Sequence, residues 1–578
     1  MYCVLVFASV ISACKNKEIK DVSPLSEDVS DLTKSAFKAS SVQEWIKFTL
    51  EPLMKDSAST ISTEAEPLLF AVAPIFDLYS KNKFEPVWVN KDGLNKNGEE
   101  FLKILSNTEQ YGLLKNYYGV NNISDALKAV QNKEEQPELL DDIELSMSNA
   151  WFLLALHLHE GAVGDGQLLN KNFGDNTDFY VKTLLESIES KKITSTLEGL
   201  QPQDFQYKNL QAALREIAGT KNKIPKGFTI PDHKADSATC AQKVLQALIY
   251  QGYLDTIPTS YVQYHEKLKK FQKDHGLEAD GVPGPNTRAL LLLDNTEKYN
   301  RIAMNLDRWR SQKYKFPGEY VFVNIPAFEL YWIKDNTVLH KHRVVVGKPN
   351  TRTPDIISDI NIVVLNPDWT VPQSIIRGEL RHKSAGYLSR YNIFQNGVKV
   401  SPGEVNWGLG NVRVVQPPGA TNALGFVKFL FQNSHSVYLH DTPSRSLFAN
   451  SVRAYSHGCV RVQNPLDFGL ELLKRDGRAM TMDSVQSIIH TGKTTNITLK
   501  NKMPIYIQYY TTAAIEAGQP AFYPDLYKRE DIQASVLFYG RYDKSVDPNK
   551  ARRAVPSIVA RPEAIELPED SLSLQATP

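Results

Sequence analysis

Residues 437–461 read Val-Tyr-Leu-His-Asp-Thr-Pro-Ser-Arg-Ser-Leu-Phe-Ala-Asn-Ser-Val-Arg-Ala-Tyr-Ser-His-Gly-Cys-Val-Arg and hold the residue types best suited to covalent chemistry. Cys459 stands behind Gly458, where the backbone is free to turn sharply and admit another group. A thiol attacks a carbonyl well only as thiolate, so it needs a base or a positive neighbour. His440 is the candidate base and Arg461 the nearby positive charge. His457 is a second imidazole, suited to shape or oxyanion contacts rather than proton transfer. The N–H groups around Gly458 and Cys459, with the Tyr438 hydroxyl, are candidate oxyanion donors. A lone cysteine is more often a small buried hydrophobe and a lone histidine a satisfied structural residue, so the elements around them matter.

Val437 to His440 reads as a strand end, with Tyr438 and His440 on one face by period 2. Behind the thiol, Asn464-Pro465-Leu466-Asp467 predicts a helix start, with Asn464 as N-cap and proline in the first position. That helix runs to about Arg475, stops near Gly477, and turns Leu466, Gly469, Leu470 and Leu473 inward, which should fix the loop carrying Cys459. β-branched and aromatic runs at 320–325, 329–333, 342–347 and 361–369 predict strands, the last ending in a proline-containing corner. Asn422-Ala423-Leu424-Gly425 makes a corner before a buried strand at 426–431. Runs 495–499 and 504–510 predict two more strands that complete the sheet. Between strands that should pair, residues 373–415 carry many charges and glycines with few clean periods. Inserts of this length are often lids or binding loops, and the reading predicts mobility here.

His440 followed by Ser456-His457-Gly458-Cys459-Val460-Arg461 resembles the signature of the L,D-transpeptidase catalytic domain, the YkuD family. The resemblance implies a mostly-β catalytic domain at about 300–515, with 373–415 as a capping insert over the active site. It implies Cys459 as nucleophile and His440 as proton donor and acceptor. Tyr438, Ser456, His457, Gly458, Arg461 and Trp369 then serve oxyanion or substrate binding. Trp369-Thr370-Val371-Pro372 resembles the edge of the substrate cleft in the larger members, although a core role suits this tryptophan equally. The implied reaction is acyl transfer through a thioester on a tetrapeptide stem, giving 3→3 peptidoglycan cross-links, with no metal or organic cofactor. Two alternatives stand beside it. One is an L,D-carboxypeptidase using the same site with water, and the other a non-catalytic peptidoglycan-binding lipoprotein.

Length sets the frame for the rest. A chain of 578 residues suggests three or four domains at about 150 residues each. With 42% apolar and 23% charged residues it is ordinary globular protein, and a net charge of +1 gives no global case for nucleic acid. The four cysteines, Cys3, Cys14, Cys240 and Cys459, form no metal-binding spacing. A Cys240–Cys459 disulfide would disable the thiol, and Cys240 reads as a buried structural residue.

The overall fold class expected is multidomain α+β. Residues 2–13 are apolar or small, too few to span a bilayer but the length of a signal-peptide core. Ile11-Ser12-Ala13-Cys14 resembles a bacterial lipobox, implying cleavage before Cys14, lipidation there, and a periplasmic protein tethered to a membrane; no Lys or Arg precedes the apolar run, a departure from the usual signal pattern. Residues 15–68 read as a polar tether. Residues 69–220 read as helical, and Phe84-Glu85-Pro86-Val87-Trp88 with Tyr111-Gly112-Leu113 resembles the scaffold domain of larger L,D-transpeptidases. His157 and His159 there do not share a helix face. Residues 236–293 have apolar positions at helical spacing and an Asp280-Gly281-Val282-Pro283-Gly284-Pro285 turn cluster. They resemble the three-helix peptidoglycan-binding module, so stem peptides and glycan are the implied partners. From about residue 540 the charged, proline-containing tail reads as disordered.

Overall fold

The computed structural model describes residues 41–539, leaving out 45, 48–49, 51–70, 132–135, 165–166, 169–172, 174–175, 221–222, 259, 313–314, 409–410 and 516–519. The expected leader at 1–14 with Cys14, most of the tether at 15–68 and the tail at 540–578 lie outside the described residues. Among the described residues, no helix is long and apolar enough to cross a membrane.

The N-terminal region is built around helix α1, Gln136–Glu160. Ile143, Leu145, Trp151, Phe152, Leu154, Leu156 and Leu158 are all buried. By helical spacing alone, Ile143, Leu145, Ala150, Leu153 and Leu154 suggest a single apolar face. The helix is instead enclosed by Val72–Lys81, Val120–Gln131, Ile193–Leu200 and Asn295–Arg310, and a helix surrounded on most sides is apolar on most sides. Glu144, buried within it, accepts from the N–H groups of Val87, Trp88 and Val89 at 2.5, 2.8 and 2.9 Å and from the Tyr79 hydroxyl at 2.6 Å. Burial raises its pKa to about 7 against those bonds. His157 and His159 engage different tyrosines, Tyr118 at 2.9 Å and Tyr180 at 3.0 Å, as their spacing of two requires.

Three helices follow: α2, Ser237–Tyr250; α3, Tyr261–Asp274; and α4, Pro285–Leu291. Asp236 and Ser260 cap the first two by accepting from Thr239 N–H and Gln263 N–H. Gly276 ends α3 with φ +65°. Cys240 is fully buried in α2 and free. Helix α5, Asn295–Arg310, starts with an Asp294/Glu297 capping box and joins the helical region to the sheet. Its buried Arg310 donates to the Tyr207 hydroxyl at 2.9 Å and the Tyr111 carbonyl at 2.5 Å. Its Asn305 exchanges two hydrogen bonds with Thr511, at 3.0 and 3.1 Å.

The C-terminal half is a mixed sheet. Its strands are β1, Glu319–Asn324; β2, Glu329–Lys334; β3, Thr337–Gly347; β4, Ile356–Leu365; β9, Val427–Phe431; β10, Leu439–His440; β11, Ala454–Ser456; β12, Val460–Val462; and β13, Thr495–Gln508. An insert contributes β5, Trp369–Thr370; β6, Asn392–Gln395; β7, Val398–Val400; and β8, Val412–Gln416. The main order is β11-β3-β12-β10-β9-β4-β13-β1-β2, and β2 pairs again with β3, so the sheet closes on itself. Alternate residues of β1 feed two cores. Val321 and Val323 lie inside the closed sheet, while Tyr320 and Phe322 join the core shared with the helices. Burial on both faces is why such strands read as continuous apolar runs.

Three local expectations are corrected. The runs 495–499 and 504–510 are largely one strand, β13, pairing along β4 with a register shift between Thr498 and Met503. Trp369 does not end the core strand. Asn366 turns the chain with φ +49°, Pro367 follows, and Trp369 pairs instead with Gln416 in the insert's sheet. Helix α6, Pro465–Arg475, begins at Asn464, but Asn464 sits at φ +49° and its side chain makes no capping bond. Phe468 joins the expected inward residues of α6, while Leu466 is only partly buried. Gly469 faces Phe429 so closely that a Cβ there would lie 3.2 Å from its ring.

Candidate active site

Strands β10 and β12 run parallel, with Leu439 opposite Val460 and His440 opposite Arg461. Leu439, Val460 and Val462 point into the core. Alternation therefore sends Tyr438, His440, Cys459 and Arg461 to the other face. The loop before β12 is pinned from within. The Ser456 hydroxyl donates to the Cys459 carbonyl at 2.5 Å and accepts from Gly458 N–H at 3.1 Å. Thr353 donates to the Gly458 carbonyl at 2.9 Å. Gly458 has φ +119°, a conformation that an L side chain resists, so the loop requires glycine here.

Cys459 is half-buried and free. Its Sγ lies 3.9 Å from the Ser436 carbonyl. Burial pushes the thiol pKa up, opposed by hydrogen bonds from Tyr438 and by the Arg461 charge. Burial likewise raises Tyr438, with the neighbouring Cys459 adding to the shift and a bond from Trp369 opposing it. Tyr438 thus touches the thiol on one side and the insert's tryptophan on the other.

His440 is 5% exposed. Its Nδ1 donates to the Asp441 carbonyl at 2.5 Å. Since a carbonyl only accepts, Nδ1 carries the proton and the lone pair of the neutral ring is on Nε2. Burial, then the charges of Arg461 and Lys428, lower its pKa to about 3. The ring is neutral at ordinary pH and able to accept a proton. Among the described residues no hydrogen bond joins it to Cys459, which lies two residues before Arg461, the residue facing His440 on the neighbouring strand.

Asp441 is buried, and its carboxylate accepts from Phe426 N–H at 2.9 Å. Two positions escaped the sequence reading. Lys428 pairs directly with His440 across β9 and β10; a lone lysine inside Val-Lys-Phe-Leu-Phe was its only signal. Burial lowers its pKa, and its Nζ donates to the Asp368 carbonyl at 3.4 Å. Glu379, from the insert, lies 2.8 Å from His457 Nε2, and nothing in the sequence joins these two. Arg461 keeps its Nε buried without a hydrogen-bond partner among the described residues. Trp369, half-buried, opens the insert, which has a core of its own built on Val371, Ile376, Leu380, Leu388, Ile393 and Val414. Among the described residues no group of three or more His, Cys, Asp or Glu converges as a metal site.

Residues 318–468 match the family model of the L,D-transpeptidase catalytic domain, YkuD. Residues 73–214 match the scaffold domain, and residues 241–291 match the "Putative peptidoglycan binding domain". A curated protein of Haemophilus influenzae named "Putative L,D-transpeptidase" is 36% identical over 237 residues, covering 39% of this chain and 47% of that protein. The match thus spans about half the length of this relative. A solved structure titled "Structure of the Ldtfm-avibactam carbamoyl enzyme" is 13% identical, covering 33% of this chain and 49% of that one. The TM-score between the two is 0.16.

Proposed function

The chain carries an L,D-transpeptidase catalytic domain together with a scaffold domain and a peptidoglycan-binding domain, and we propose that it forms 3→3 peptidoglycan cross-links through a thioester on Cys459. The observation that carries this reading is the orientation of His440: a neutral imidazole with Nδ1 committed to the Asp441 carbonyl, on the strand beside the thiol. His440 Nε2 takes the Cys459 proton as the sulfur attacks the carbonyl of the third residue of a tetrapeptide stem. The bond to the terminal D-alanine breaks, and D-alanine leaves with a proton. The side-chain amine of a diamino acid on a second stem then attacks the thioester, gives up a proton, and releases Cys459. Covalent capture divides one hard step into two easier ones.

The developing oxyanion takes its bonds from the Cys459 N–H and the Tyr438 hydroxyl, because the Gly458 N–H is already committed to Ser456. Ser456 holds the loop, Arg461 supports the thiolate, and Trp369 with Tyr438 lines the donor's path. The insert over the thiol limits water, which favours transfer over hydrolysis. The scaffold domain spans 69–220, the peptidoglycan-binding module 236–293 and the catalytic domain 300–515. A lipid on Cys14 tethers the protein to a membrane facing the periplasm, where wall stems and glycan are its partners.

The test is mass spectrometry of the purified protein incubated with disaccharide-tetrapeptide, beside Cys459→Ala. A Cys459-dependent dimer lighter by one alanine is the expected product. Tripeptide monomer alone moves the reading to an L,D-carboxypeptidase, and absence of any product from folded protein moves it to a non-catalytic wall tether.

A further inference from the structure

Residues 373–415 make one polar side-chain tie to the rest of the chain among the described residues. It is Glu379 Oε1 to His457 Nε2 at 2.8 Å. The insert is otherwise self-contained. It has its own sheet, β7-β6-β8-β5, and its own core. Its two chain crossings are gathered at a neck, where Asn422 donates to the carbonyls of Pro367, Gln416 and Pro417 at 3.1, 3.2 and 2.8 Å. His457 is two residues before the thiol. Trp369 at the neck meets Tyr438, which touches the thiol from β10. Cys459 is therefore straddled by two polar contacts from the insert's side, one from Trp369 at the neck and one from Glu379 beyond it.

We propose that Glu379 is a specificity-determining residue: its contact with His457 closes the insert over Cys459, so that a bulky donor must part this pair to reach the thiol. The proposal rests on the reading of Cys459 as the nucleophile. The strength of the pair suits this use. Both side chains are partly open to water, at 35% and 51% exposure, and an exposed polar contact of this kind biases an equilibrium only about two- to five-fold. A contact of that size opens in every catalytic cycle without slowing it severely, yet it keeps the thiol covered between cycles. The two-point attachment also explains why the contact discriminates by size. A small electrophile reaches a half-buried thiol past a closed insert, whereas a stem peptide needs the space that Glu379 and His457 occupy.

The experiment measures the rate of Cys459 labelling in the intact protein by iodoacetamide and by the same iodoacetyl group carried on a pentapeptide. Glu379→Ala and Glu379→Gln are expected to speed the peptide reagent about two- to five-fold and to leave iodoacetamide unchanged. Equal acceleration of both reagents means general loosening of the loop and overturns the proposal, as does no acceleration of either. Labelling needs no turnover, so a protein inactive on muropeptides but showing the size effect retains the gate and loses the transpeptidase reading. An active enzyme without the size effect does the reverse.

Discussion

The imidazole of His440 is oriented by the main-chain carbonyl of the residue that follows it: Nδ1 donates to Asp441 O at 2.5 Å. No side-chain carboxylate is needed to select the tautomer, because the backbone supplies the acceptor. With burial, Arg461 and Lys428 holding its pKa at about 3, the ring stays neutral through the mildly acid range. The rate of Cys459 acylation should therefore hold between pH 7 and pH 5, with no acid limb at the ordinary histidine value of about 6.5. A fall in rate centred near 6.5 would show that His440 titrates as a free histidine and would remove this account of the base. His440→Ala should keep the fold and lose acylation.

The same depressed pKa makes a stability statement. The unfolded chain binds a proton at His440 below about pH 6.5, whereas the folded protein refuses it until about 3. The contribution is fully present above 6.5 and is lost as pH falls through the window between those values. At pH 5 the loss is about 2 kcal/mol. Denaturant midpoints at pH 7 and pH 5 check it. Replacing His440 with Gln should flatten the slope by about that amount, and an unchanged slope would place the proton elsewhere.

Gly425 and Asp441 form a second constraint on the base. A Cβ at Gly425 would lie inside contact distance of the Asp441 carboxylate, and Gly425 also has φ +58°. Gly425→Ala should cost about 2–4 kcal/mol and should slow acylation by moving Asp441, whose carbonyl holds His440. Asp441→Ala leaves Phe426 N–H without its partner, at a cost of about 1–3 kcal/mol. Because the second change removes Oδ2 and Cγ, two of the three Asp441 atoms that the first one strikes, and leaves only Cβ, the double variant should be less destabilised than the sum of the singles. Additive thermal shifts would mean that the clash relaxes by another route.

The Tyr438 hydroxyl stands between the thiol and Trp369. Tyr438→Phe keeps the ring and its edge-on contact with His440, whose centroid is 5.7 Å away. It removes only the hydroxyl donor. If that donor meets the oxyanion, the acylation rate falls about 10²-fold or more while donor binding changes little. A drop in affinity with an unchanged rate would assign Tyr438 to binding.

The strand Val437 to His440 and its reactive face were legible because alternation is a strong signal. The closure of the sheet, and the strand Val460–Val462 behind the thiol, were not, because both rest on partners far away in sequence. The helix behind the thiol was legible from Pro465 and Gly477, although Asn464 turns the corner with its backbone rather than capping with its side chain. The insert was not legible as a folded unit. Its strands are short, and its core draws on scattered residues such as Val371, Leu388 and Val414, so no window of sequence holds a period. Lys428 and Glu379 were missed for a related reason. Each acquires its meaning from a partner on another strand or loop, which sequence spacing does not report.

Loosening the module at Gln272 should separate wall binding from chemistry. Gln272, 1% exposed at the end of α3, uses its whole amide to hold the turn before α4. Its Oε1 accepts from Gly281 N–H at 2.8 Å, and its Nε2 donates to Asp280, to the Val282 carbonyl and to Thr287 at 2.9, 2.9 and 3.3 Å. Leucine fits the volume but satisfies none of these groups, so Gln272→Leu should destabilise the module by about 2–4 kcal/mol. Hydrogen exchange should rise over 276–291 and stay unchanged over 437–461, because the catalytic loop is held by Ser456 and Thr353 instead. Sedimentation with isolated peptidoglycan should weaken while cross-linking of soluble disaccharide-tetrapeptide persists. If both fall together, the module supports the catalytic domain as architecture and wall binding is not its separate task. If sedimentation is unchanged despite a loosened turn, the glycan is held by another surface.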